Sequence, residues 1–169
     1  GQCDKIFINT SGIGYIPSQI NISGVNAKPG DAVIISGSIA DHGVAVLSKR
    51  EGLQFESNIE SDSYPLNNIV KAVLDKYPDK VRVMRDPTRG GIATTLNEIA
   101  KQSNTGIRLF EEMIPIKEEV NAMCEILGLE AMYIANEGKM LFICEKEIAG
   151  DIISILKDFN ESKDASVIG

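Results

Sequence analysis

The six residues Asp86-Pro87-Thr88-Arg89-Gly90-Gly91 put a carboxylate, a hydroxyl, a guanidinium and two adjacent glycines directly in front of a helical pattern. Two readings account for them. In the first, Asp86 or Thr88 caps the helix, Pro87 fixes the turn, and the glycines take backbone angles that other residues avoid. In the second, the free N–H groups of the helix start attract an anion. Gly90 and Gly91 then let a ligand approach the backbone, and Arg89 supplies a permanent, forked cation suited to phosphate. Capping does not require Arg89.

A second group is Ala135-Asn136-Glu137-Gly138-Lys139. A two-residue hairpin turn, Glu137-Gly138 or Asn136-Glu137, would suffice to join two strands. The same turn also places an amide, a carboxylate and a lysine at the end of an apolar strand pair, where functional groups often sit. The single histidine, His42, follows Asp41 near a helix start. It fits packing or capping, and it also fits proton transfer near neutral pH. Cys124 and Cys144 lie on apolar stripes and read as buried, inert thiols.

These groups need elements to hold them. Residues 4–10 alternate apolar and polar side chains like a strand, and 11–24 are rich in turn residues. Residues 30–38 form a β-branched run between glycines, which predicts a buried strand. A helix follows, with Asp41 as its N-cap and Gly52 as its stop. Leu66, Ile69, Val70, Val73, Leu74 and Tyr77 recur at helical spacing, and Pro78 ends that helix. Residues 81–85 predict a strand that runs into the Asp86–Gly91 loop. Ile92, Leu96, Ile99 and Ala100 then mark a helix, and 106–111 predict a strand. Ile116, Val120, Met123, Cys124 and Leu127 share one helix face. Strands are expected at 131–135 and 139–144, joined as a hairpin. A last helix carries Ile148, Ile152, Ile155, Leu156 and Phe159, and 165–169 begin another strand. The alternation predicts one α/β layered domain over residues 1–169. Neither a dinucleotide-binding glycine pattern nor a GxxxxGK[ST] loop is present.

Composition narrows the function. The chain has 169 residues, 43% hydrophobic and 24% charged, so it can bury a core. A net charge of -7 argues against broad nucleic-acid contact. No apolar run approaches the roughly 18 residues of a membrane span, and no signal peptide is expected. Cys3, Cys124 and Cys144 fit neither a disulfide framework nor a CxxC metal site, so no metal ligands are assigned and a reducing, cytoplasmic setting is expected.

Taken together, residues 30–53, 84–100, 114–142 and 165–169 resemble the C-terminal domain of the HypE family of hydrogenase-maturation proteins. That family lies within the aminoimidazole-ribonucleotide-synthetase-like (PurM-like) superfamily. The resemblance runs from about residue 4 to the end, and the pairing of DPTRGG with a later ANEGK is its specific signature. It implies a three-layer sandwich, a mixed β-sheet flanked by helices and ferredoxin-like in part. It also implies ATP-driven dehydration of a C-terminal cysteine thiocarboxamide to a thiocyanate, which supplies cyanide for nickel–iron hydrogenase. ATP and Mg2+ would be the cofactors of the full-length protein. HypF would donate the carbamoyl group, the HypC–HypD complex would accept the cyanide, and the intact protein would be a homodimer. Asp86, Thr88, Arg89, Gly90 and Gly91 would face the phosphates, with Asn136, Glu137 and Lys139 completing the wall. Glu137 would be the proton acceptor or a metal-linked acid, and His42 a second candidate.

The resemblance further implies an N-terminal ATP-binding domain and a cysteine-bearing tail that these residues do not include. The chain alone is therefore expected to be inactive and to bind nucleotide weakly. Two other functions fit the same residues, a kinase-like relative acting on a small molecule and a non-enzymatic docking domain for maturation proteins.

Overall fold

The computed structural model describes residues 8–50 and 59–169. Four strands form one sheet in the order β2-β3-β1-β4: β1 (Ala32–Ile35), β2 (Val81–Arg85), β3 (Leu141–Cys144) and β4 (Ser166–Val167). Every pairing described is antiparallel, so the α/β layered class holds while the sheet is antiparallel rather than mixed. Among the described residues five α-helices cover it: α1 (Asp41–Arg50), α2 (Asn67–Lys76), α3 (Gly91–Ser103), α4 (Glu118–Leu127) and α5 (Ala149–Lys157).

The two central strands, β1 and β3, are apolar and buried at every position because both sheet faces are covered. Val33, Ile35, Leu141 and Ile143 point to one face and meet Val44 of α1, Ile92, Leu96 and Ile99 of α3, and Val120 and Met123 of α4. Ala32, Ile34, Phe142 and Cys144 point to the other and meet Ile69 and Val73 of α2 and Ile152 and Leu156 of α5. These are the stripes that helical spacing marked, and each fully buried aliphatic side chain contributes roughly 1.5–3 kcal/mol. Val81 and Val83 would share a face in a regular strand. A bulge at Arg82 separates them, so Val81 joins one core and Val83 the other. The displaced Arg82 reaches Asp31 at 3.0 Å and Glu145 at 3.1 Å.

Three expectations fail. Residues 131–135 are not a strand; Ala131–Tyr133 form a 3-10 turn. Both edges of β3 are already taken by β1 and β2, leaving no room for a hairpin partner. The carbonyls of Ile134 and Ala135 instead accept from the Asn136 side chain and from the Gly43 N–H. Residues 106–111 also form no strand, although the Phe110 N–H donates to the Ile168 carbonyl. Asp41 is not a cap: it is the first helical residue, buried, and its carboxylate takes Ser38 and Lys117. The strand expected at 4–10 falls mainly outside the described residues, with 8–10 irregular. Gly52 and Cys3 lie outside them as well.

Candidate functional site

The antiparallel order gathers the three polar motifs at one end of the sheet. β1 ends at Ile35 and β2 ends at Arg85, and both are registered on Leu141, where β3 begins. The loops 36–41, 86–90 and 136–140 therefore emerge side by side, although up to about a hundred residues separate them in sequence.

Asn136 joins them. Its buried Oδ1 accepts the Ala40 N–H at 2.8 Å, and its amide donates to the carbonyls of Pro87 (3.1 Å) and Ile134 (3.0 Å). Its backbone N–H also donates to Pro87 at 3.3 Å. Both amide hydrogens are committed to the protein, so Asn136 shapes the wall from inside instead of presenting its side chain to a ligand.

The Asp86–Gly91 loop decides between its two readings. Thr88 Oγ1 donates to Asp86 Oδ2 at 2.7 Å, so these two side chains bond each other and neither caps α3. Gly90 occupies the N-cap position with no side-chain bond to the helix, and the first turn contains no acid. Arg89 is exposed and makes no ion pair among the described residues. Gly90 and Gly91 both have positive φ (72° and 62°), which other residues resist. A β-carbon on Gly91 would also lie 2.7 Å from the Ile134 carbonyl and collide with that of Met132. The result is a helix start whose positive end is left without an internal anion.

Beside it, the Glu137 carboxylate is partly exposed, and its Oε1 is 3.9 Å from His42 Nε2. That is a charge contact only when the ring is protonated, and too long for a hydrogen bond. His42 Nδ1 is 2.8 Å from Ser61 Oγ. Lys139 departs from expectation. It is buried, and its Nζ lies 3.4 Å from Asp62 Oδ2, so it does not line the surface. Behind α1, burial works against the Lys117 ammonium, yet the Asp41 hydrogen bond and charge outweigh it and hold its pKa above the usual value.

Sequence reasoning missed Ser61 and Asp62, which sit in an irregular polar stretch without periodicity. Their only signal is composition, and composition alone reads as a surface loop. Cys144 is fully buried, and burial pushes its thiol up to about 12. Burial, reinforced by Glu130, also raises Cys124.

Residues 28–169 match the family described as AIR synthase related protein, C-terminal domain. The chain belongs to that family. It is similar to the carbamoyl dehydratase HypE of Azotobacter vinelandii, 47% identical over all 169 residues and 49% of that protein. A crystal structure of a HypE–HypF complex matches with a TM-score of 0.86 and 46% identity, over 88% of this chain and 48% of the other. A crystal structure of HypE in complex with ATP matches with a TM-score of 0.83 and 46% identity, over 88% and 44%. The chain thus spans about half the length of the curated relatives it matches. No helix among the described residues is long and apolar enough to cross a membrane.

Proposed function

We propose that this AIR synthase related domain is the C-terminal half of a HypE-like carbamoyl dehydratase. One observation carries the proposal: the first turn of α3 is uncapped by any side chain, next to an exposed Arg89, in the loop that Asn136 ties to Glu137. Plain capping leaves Arg89 and the free helix end unexplained, whereas a phosphate ligand uses both.

The reaction converts R–S–C(=O)–NH2 and ATP to R–S–C≡N, ADP and phosphate. ATP transfers its γ-phosphoryl group to the amide oxygen. The nitrogen gives up two protons, and the C–O bond breaks with phosphate as the leaving group. Backbone N–H groups of the α3 start, with Gly90 and Gly91, fit the phosphates, and Arg89 stabilises their charge as it moves. Glu137 accepts a proton from the nitrogen, with His42 next to it. Asp86 and Thr88 hold the loop through their mutual bond, while Asn136 and Lys139 act from beneath the surface. Among the described residues no group of His, Cys, Asp and Glu is fit to hold a metal ion, so Mg2+ would ride on the nucleotide with ligands from elsewhere in the protein. HypF as carbamoyl donor, HypC–HypD as cyanide acceptor, a homodimer and a cytoplasmic setting complete the proposal.

The test uses the full-length protein. Arg89→Ala slows ATP turnover by about 10²-fold, the effect of removing an electrostatic stabiliser. Glu137→Gln retains nucleotide binding and stops nitrile formation, because an amide is no base. If both variants melt like the parent and form thiocyanate at its rate, the proposal is wrong and the two turns are structural.

A further inference from the structure

The turn that carries Glu137 lacks the support of a hairpin, because the residues before it form no strand. A segment without any motif takes that place. Asp62 Oδ1 accepts the Glu137 backbone N–H at 3.1 Å. The Asp62 carbonyl and the Tyr64 N–H lie so close over Gly138 that a β-carbon there would displace them. Ser61, the preceding residue, contacts His42. One short strap thus touches both titratable groups of the proposed proton-transfer pair.

The strap is anchored by a buried charge pair. The Asp62 side chain is 2% exposed and that of Lys139 is 6% exposed, with 3.4 Å between Oδ2 and Nζ. Among the described residues Oδ2 has no aligned hydrogen bond, so the contact with Lys139 is one of charge, and the directional bond is the one that the Glu137 N–H donates to Oδ1. Burying such a pair is costly compared with an apolar pair of the same size. A requirement for position accounts for its presence, since Lys139 lies two residues beyond Glu137 and pulls the strap onto the turn from below.

We propose that Asp62, fixed by the buried Lys139, is a positioning residue that sets the location of Glu137. This rests on the reading of Glu137 as the proton acceptor. A group on an exposed turn needs a fixed backbone to meet its substrate, and a displacement of about 1 Å can cost roughly 10²-fold in rate.

The test is made in the full-length protein with paired changes that avoid a lone buried charge. Both pairs lose the Lys139 anchor and so fall below the parent in thiocyanate turnover. In Asp62→Asn with Lys139→Met the asparagine oxygen still accepts the Glu137 N–H, so the loss is smaller than in the alanine pair. In Asp62→Ala with Lys139→Met the acceptor is gone, and kcat falls by about 10²-fold with the KM for ATP unchanged. Equal turnover in the two pairs, both melting like the parent, overturns the proposal. Glu137→Gln is run in parallel. If it stays active, the reading of Glu137 fails; if it is dead while the alanine pair is active, only the positioning role fails. Should the alanine pair not fold, hydrogen exchange in the unmodified protein decides. The Glu137 amide is protected if Asp62 holds it, and exchange at the rate of an open turn overturns the proposal.

Discussion

Replacing Asn136 with alanine tests whether one side chain holds three loops together. The change leaves the Ala40 N–H and the Ile134 carbonyl without their Asn136 partner, while the Pro87 carbonyl keeps the backbone N–H of residue 136. Each newly unpaired buried group costs about 1–3 kcal/mol, or ~2–6 for the two. Part of this returns as relief of strain, because Ala40 sits at φ 74°, a conformation worth roughly 1–2 kcal/mol against a residue with a β-carbon. The net loss is therefore centred on ~2–3 kcal/mol, a fall in Tm of about 4–12 °C for a chain of this size. Asn136→Asp sharpens the test. Its Oδ1 still accepts from Ala40, but the second oxygen faces two carbonyls that had accepted the amide. Burial and those oxygens raise the new carboxyl's folded pKa above its unfolded value of about 3.9. Its proton is then held more tightly when folded, so stability is fully present below about pH 4 and is lost as the pH rises through the raised folded value. Thermal melts at pH 4 and pH 8 decide. An alanine variant melting within 1 °C of the parent, or an aspartate variant whose penalty does not grow with pH, refutes the clamp.

Other outcomes follow from single contacts. Gly91→Ala is strained by its positive φ and collides with backbone carbonyls, so it costs more than the ~1 kcal/mol of an average single substitution, and melting with the parent would contradict this. Cys144, with its thiol raised from 9.0 to about 12, resists thiol reagents at pH 8 until the protein is unfolded. Its linkage is the mirror of a depressed acid: stability is constant below pH 9 and declines between pH 9 and about 12, by roughly 1.4 kcal/mol per unit. The 169-residue chain alone binds ATP at about millimolar strength or weaker, since one arginine and a few backbone donors barely exceed the cost of association. Micromolar binding by calorimetry would show that these residues hold a complete site.

Helices and buried strands were legible wherever burial imposes a period. Ile69 and Val73, or Ile92, Leu96 and Ile99, can fall on one face only if the chain is helical there. The failures lie where backbone groups find partners outside a ladder. Residues 131–135 are an apolar run like that of a buried strand, but a strand exists only if a neighbour is free, and the pairing of β3 with both β1 and β2 is a fact of topology. A lysine beside a turn, such as Lys139, is usually a surface cation. Asp62, 77 positions earlier, compensates its burial, and a long-range pair leaves no local pattern. For the same reason the sequence around Asn136 suggests a ligand contact, while its three partners lie on two other loops and on its own neighbour.

The distribution of local irregularities carries its own argument. Positive φ values at Ala40, Gly90 and Gly91 fall at the end of the sheet where β1 and β2 stop, while those of Gly30, Asn104 and Gly128 belong to a turn before β1 and to helix C-termini. Buried carboxylate oxygens of Asp41 and Asp62, each without a hydrogen-bond partner among the described residues, belong to segments packed around the same loops. At the opposite end, by contrast, Arg82 is paired twice and its hydrogen bond with Asp31, against the cost of burial, keeps it firmly protonated. Strain and incompletely paired charges at this edge fit a site that must hold an open helix start, an exposed arginine and a carboxylate in fixed relation. Preorganisation there leaves groups incompletely satisfied until a ligand arrives, and binding recovers part of that cost.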